Sequence, residues 1–190
     1  MARKPAPLSG LADVTTPATS PVSLDAVDRQ LLALLSADAR TSQRRLSREL
    51  RMSPPAIGER VARLERLGVI RGYTVAIDWS ALGYTTCYLA VSAMQGAEQG
   101  PVMAALHQLP EVEEVIVITG SLDMLARVRV KDHAHLRRLL LEHVWQLDGV
   151  QRTETFLSLA EMPVKDLTSS LLVADADDDE PPARTERGVR

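Results

Sequence analysis

The sequence predicts an α+β chain of two domains, with three short helices first and then an antiparallel sheet carrying helices on one face. Three observations lead there. Apolar residues keep helical spacing from about residue 24 to 70 and then alternate from about residue 83. The charge changes sign at the same place, from +4 over residues 23–72, which hold ten arginines, to −5 over 73–167. The later segments follow the order strand, helix, strand, strand, helix, strand. At 190 residues and 45% hydrophobic content, the chain can bury one large core or two small ones.

The first helix follows from Val27, Leu31, Leu34 and Leu35, which stand at i, i+4, i+7 and i+8, with Asp25 and Asp28 where acids favour a helix start. Thr41 or Ser42 can cap a second, shorter helix whose Leu46 and Leu50 share a face. The third stretch looks unsuited to a helix, since it opens on Pro54-Pro55 and contains Gly58. Yet Ser53 is a preferred N-cap, and both prolines fall in the first turn, where N–H groups have no partner to lose. Ile57, Val61 and Leu64 then supply the stripe, and Gly68 marks the stop. Gly58 costs ~1 kcal/mol against alanine, so either something approaches that side or the site tolerates it. Only Arg51, Met52 and Ser53 separate the last two helices, which makes a helix-turn-helix. Its third helix turns Pro55, Glu59, Ala62, Arg63 and Arg66 outward, flanked by Ala56 and Arg60, as the face a DNA major groove would meet.

In the second domain Cys87, Leu89, Val91 and Ala93 alternate with Tyr88, Ala90 and Ser92 as a strand. A helix over Pro101–Leu109 follows, then strands Glu113–Thr119 and Met124–Val130 joined by Gly120-Ser121-Leu122-Asp123. A helix through Leu136, Leu139, Leu140, Val144 and Leu147 leads to a last strand, Val150–Leu159. This is the ferredoxin-like βαββαβ pattern. The expected organisation is a tail over 1–22, the helix-turn-helix domain over 23–71, a strand-like hinge over 72–82, the ferredoxin-like domain over 83–167, and an acidic tail over 168–190. Both tails bury too little apolar surface to offset ordering entropy, so disorder is expected there.

Several function classes are disfavoured. A lone Cys87 makes neither an internal disulfide nor a thiolate metal site, and it reads as a core residue in a reducing cytosol. No run approaches the ~18 apolar residues of a membrane span, and a cytoplasmic location is expected. His107, His133, His135 and His143 lack carboxylate or cysteine partners at a metal-ligand spacing. No metal, cofactor or catalytic residue is expected.

The segments Leu24-Asp25…Asp28, Asp38-Ala39-Arg40, Leu46-Ser47-Arg48-Glu49-Leu50, Ser53-Pro54, Arg60-Val61…Arg63-Leu64-Glu65…Gly68-Val69-Ile70…Gly72-Tyr73 and Thr119-Gly120…Asp123 closely resemble the Lrp/AsnC family of bacterial and archaeal transcription regulators. The likeness runs from about Ser23 to Leu167. It implies a head that binds double-stranded DNA, a hinge, and an effector-sensing domain. Such proteins form homodimers and often tetramers or octamers, and small ligands, commonly amino acids, bind between dimers near the Thr-Gly-x-x-Asp loop. Two positions depart from the pattern: Glu59 stands where a basic residue is frequent, and Leu122 where an aromatic is frequent.

On the DNA side, Ser53 and Arg60 are assigned to phosphates, and Pro55, Ala56, Glu59 and Arg63 to base edges. Arginine can grip guanine bidentately, glutamate can accept from cytosine, and small apolar groups can touch a thymine methyl. Arg44 and Arg45, with Arg48 and Arg51, are placed to hold the phosphate backbone. The plainer alternative pairs Glu59 with Arg63 as an i, i+4 surface ion pair. On the effector side the candidates are Thr119, Gly120, Ser121 and Asp123, with backbone N–H groups for a carboxylate, Asp123 for an ammonium and Ser121 for a further contact. An ordinary hairpin turn explains the same residues. An enzyme remains the alternative function, because siroheme decarboxylases resemble this layout. They need imidazole and cationic groups around a tetrapyrrole, and the second domain has no dense His/Arg cluster.

Overall fold

The computed structural model describes residues 20–94, 97–168 and 170–172. They form two compact units, one built from residues 20–75 and 163 onward, the other from 76–162. The expected tail residues 1–19 and 173–190 lie outside the described residues.

The first unit contains α1 (Ala26–Ala37), α2 (Gln43–Leu50) and α3 (Pro54–Arg66). Each begins on a side-chain cap. Asp25, Ser42 and Ser53 accept from the backbone N–H of Asp28, Arg45 and Ala56 respectively, and α3 carries its prolines in the first two positions. Leu31, Leu46, Ile57 and Leu64 are fully buried where the helices meet. Each contributes roughly 1.5–3 kcal/mol of apolar burial, so this small core has little reserve. Arg51 ends α2 in the left-handed region (φ 53°, ψ 39°), which lets the chain turn within three residues into α3. A Cβ added to Gly58 would meet Gln43 Nε2 at 3.5 Å, an ordinary contact, so tolerance explains this glycine better than close approach does.

The second unit holds β1 (Thr85–Ala93), α4 (Gln99–His107), β2 (Val112–Val117), β3 (Met124–Val130), α5 (His133–Arg138) and β4 (Val150–Leu157). The strands pair antiparallel in the order β2-β3-β1-β4, with Leu89 opposite Ala126 on one side and Thr155 on the other. Cys87, Leu89, Val91, Met124, Ala126 and Val128 face α4 and α5 through Val102, Leu106, Leu136 and Leu139. Burial raises the Cys87 thiol pKa above its ordinary value.

Four expectations shift. Helix α4 starts two residues before Pro101, because a proline in the first turn leaves the earlier N–H groups free to begin the helix. The helix expected through Leu147 does not stay α: after α5 the chain passes through a π turn at Leu139–His143 and a 3-10 turn at Val144–Gln146. Val144 is buried and His143 exposed through these turns, so the expected apolar stripe is kept although the α hydrogen bonding is not. The hinge, expected to be strand-like, pairs with no strand among the described residues, and Tyr73, Val75 and Ile77 are exposed. Finally, residues 163–172, expected to be divided between the sheet domain and a disordered tail, belong to the helical unit and close a helical turn through Leu171 N–H to Leu167 O at 2.9 Å.

Replacing Gly58 with alanine should therefore raise the stability of the helical unit by about 0.5–1 kcal/mol, through helix propensity and a less flexible unfolded chain. Urea denaturation followed by far-ultraviolet circular dichroism reads the shift in midpoint.

Candidate functional site

The outer side of α3 meets the start of α1 in a groove of about 860 Å³ lined by Ser23, Asp25, Asp28, Ala56, Glu59, Arg60, Ala62, Arg63 and Arg66. Its geometry follows from the capping box of α1. Asp28 N–H donates to Asp25 Oδ1 at 2.7 Å, and Asp25 N–H donates back to Asp28 Oδ2 at 3.3 Å. This turns the Asp28 carboxylate into the interior, where it has no exposed surface. Arg60 reaches across from α3 to Asp25 Oδ2 (2.6 Å) and Asp28 Oδ1 (2.7 Å), while Arg63 holds Asp28 Oδ2 (2.8 Å) and the Ser23 carbonyl (3.3 Å).

The electrostatics follow from these contacts. Burial pushes the Asp28 carboxyl up, but the hydrogen bonds from Arg63 and Arg60 outweigh it and hold its pKa below the ordinary carboxylate value. Asp25 is lowered first by the Asp28 backbone N–H and further by Arg60, against its own desolvation. Arg60 is raised in turn, first by its hydrogen bond to Asp25 and then by that to Asp28.

The assigned DNA-side residues therefore separate into two groups. Arg60 and Arg63 are held by α1, and Glu59 is not the observed partner of Arg63. Arg44, Arg45, Arg48 and Arg51 are exposed, with no carboxylate partner among the described residues. Pro55 and Glu59 are exposed and Ala56 is half-buried, on the amino-terminal half of α3. The hydroxyl of Ser53 caps the helix at 3.4 Å from Ala56 N–H. The sequence marks Asp25 and Asp28 as a helix start and as part of the family likeness, not as partners of α3. Their pairing with arginines 32 to 35 residues away carries no local signal.

In the sheet unit, Thr119, Gly120 and Ser121 form an exposed bend, with Gly120 at φ 135°. Asp123 is turned the other way: its Oδ2 accepts the buried Ala93 N–H at 2.9 Å, and its own N–H donates to the Val91 carbonyl at 3.0 Å. Leu122 is also buried. The loop thus exposes its first three residues and anchors its last two on the end of β1. Beside Ser121 lies a cavity of about 430 Å³ shared with Ser92, Gln151 and Arg152. Sequence reasoning missed the last three, because Ser92 and Arg152 meet only through the β1–β4 register. Arg152 is ion-paired with Glu154.

Among the described residues no group of three or more His, Cys, Asp or Glu side chains is placed to hold a metal. His135 instead meets Glu111 through Nε2 at 3.0 Å, and its Nδ1 accepts the Lys131 N–H at 3.3 Å. No helix among the described residues is long and apolar enough to cross a membrane.

Removing the buried carboxylate by Asp28→Asn should cost the helical unit about 2 kcal/mol, below the ~3–5 kcal/mol of a fully buried broken pair, because Arg60 and Arg63 can each turn partly to water. A urea melt measures it. With folded-state pKa values depressed, the contribution of Asp25 and Asp28 is complete above the unfolded value near 3.8 and is lost as pH falls through the lower folded values. Thermal melts of the wild type should drop steeply below pH 4, and those of Asp28→Asn less so.

Comparison with known proteins agrees with both units. Residues 24–65 match the model of the AsnC-type helix-turn-helix domain, and residues 86–166 match that of the Lrp/AsnC ligand binding domain. An uncharacterized HTH-type transcriptional regulator of Pyrococcus horikoshii is 36% identical over 143 residues, spanning 75% of this chain and 90% of its own. The leucine-responsive regulatory protein of Salmonella typhimurium is 37% identical over 144 residues, or 73% and 87%. Among solved structures, E. coli AsnC superposes with a TM-score of 0.73 at 26% identity, over 77% of this chain and 99% of that one. None of this supports the siroheme-decarboxylase alternative. A helix-turn-helix whose third helix presents a grooved, arginine-flanked face, followed by a β2-β3-β1-β4 sheet with the matching ligand-binding pattern, makes this chain a member of the Lrp/AsnC family of DNA-binding transcription regulators.

Proposed function

We propose that α3 enters the major groove of its operator with Pro55, Ala56 and Glu59 toward the base edges, while Arg44 and Arg45 of α2 hold flanking phosphates and Arg48 and Arg51 add charge. One observation carries the reading: the exposed arginines of α2 and the exposed amino-terminal half of α3 belong to one helix-turn-helix, whereas Arg60 and Arg63 are engaged by α1. Arg60 and Arg63 then act mainly as positioning residues that set the pose of α3, and Ser53 serves DNA chiefly by starting the helix. An anisotropy titration over a salt series separates these roles. Arg45→Ala should lower the salt-dependence slope by about 0.9, the signature of one lost phosphate contact. Arg63→Ala should leave the slope within experimental error and lower the melting temperature. Glu59→Ala should change sequence preference at an unchanged slope.

The effector reading follows from the cavity beside the loop. A guanidinium at Arg152, hydroxyls at Ser121 and Ser92 and the amide of Gln151 suit the carboxylate and polar groups of an amino acid or similar metabolite, with Thr119 and Gly120 in the same exposed bend as Ser121. The name of the leucine-responsive relative supports that class of ligand. Asp123 braces the loop from beneath. Calorimetry against a panel of amino acids tests this: Asp123→Asn, which keeps an oxygen for the Ala93 N–H, should retain binding, and Arg152→Ala should lose at least tenfold. Retained binding in Arg152→Ala would remove it from the site.

A homodimer or higher assembly of a non-enzymatic, cytoplasmic regulator completes the proposal. Its support is apolar surface exposed among the described residues, at Val75, Ile77, Phe156, Leu157, Leu159 and Met162.

A further inference from the structure

The chain leaves the helical unit at 75/76 and returns to it at 162/163. In the returning segment Asp166 Oδ1 accepts the hydroxyl of Ser36, near the end of α1, at 3.0 Å, and Ser36 Oγ lies 2.8 Å from Thr168 Oγ1. The Thr168 N–H reaches the same Asp166 oxygen at 2.9 Å. Beside this polar clamp lies an apolar cleft of about 950 Å³ between α1 and the turn that follows α3. Leu32, Leu35, Ile70 and Tyr73 line the one wall, Leu167 and Leu171 the other. Leu167 is 52% and Leu171 58% exposed, so the cleft is only partly filled. The match to the ligand-binding domain stops at residue 166.

We propose that this cleft is a docking seat for the chain's own segment Pro163–Leu172, and that its occupancy sets how firmly the 69–74 turn is held against α1. The occupant is argued from the polar clamp, which places Leu167 and Leu171 against the cleft, and from the leucine-rich chemistry of the segment itself. The turn is tied to α3 by Val69 and Ile70 N–H groups donating to the Leu64 carbonyl, at 3.0 and 3.2 Å. Its other side faces the cleft.

Hydrogen exchange read by mass spectrometry on the full-length chain tests the seat without DNA or effector. The double variant Leu167→Ser/Leu171→Ser, which alters half-exposed side chains and keeps the charge, and the single variant Ser36→Ala should each speed exchange over residues 32–37 and 69–74. The expected change is at least threefold for the first and smaller for the second. A chain ending after Leu172 should exchange like the wild type. Unchanged exchange in the double variant overturns the proposal. So does acceleration in the chain ending after Leu172, or protection that fades on tenfold dilution, which would give the seat to a second copy. Loss of amino-acid binding with the exchange pattern intact would sink only the effector reading.

Discussion

The head of this regulator depends on one carboxylate. Asp28 caps α1 from the third position, is fully buried, and receives both arginines that α3 sends across the groove. A buried charge is costly unless it is paired and hydrogen-bonded, so the helices that supply its partners cannot slide or rotate without leaving it unsatisfied. Apolar contacts among Leu31, Leu46, Ile57 and Leu64 hold the helices together but tolerate small shifts. The ion-pair cluster is directional, and it fixes which face of α3 points outward.

That constraint divides the labour among the arginines. A helix rich in arginine suggests a uniformly cationic reading surface, yet the carboxylates of α1 neutralise much of the charge on α3 itself. Exposed arginines without a carboxylate partner among the described residues include Arg44, Arg45, Arg48 and Arg51, on α2 and its end. The amino-terminal half of α3 carries small and acidic side chains.

The sheet unit uses a related device. The carboxylate of Asp123 lies inward on the Ala93 N–H, at the end of β1, and pins the loop whose Ser121 lines the cavity with Arg152. In both units an aspartate that looks like a surface or ligand group in the sequence is an internal acceptor.

The sequence by itself determined the caps of the three head helices, their spacing, the order of strands and helices, and the family, because caps, prolines and apolar periods act within a few residues. Tertiary structure alone decided that Arg60 and Arg63 turn toward α1, that Asp123 turns inward, that Ser92 and Arg152 share a cavity, and that residues 163–172 belong to the head. Each of these depends on partners brought together from distant parts of the chain. A carboxylate's role as ligand or brace is set by which groups burial leaves within 3 Å of it, and local spacing carries no record of that.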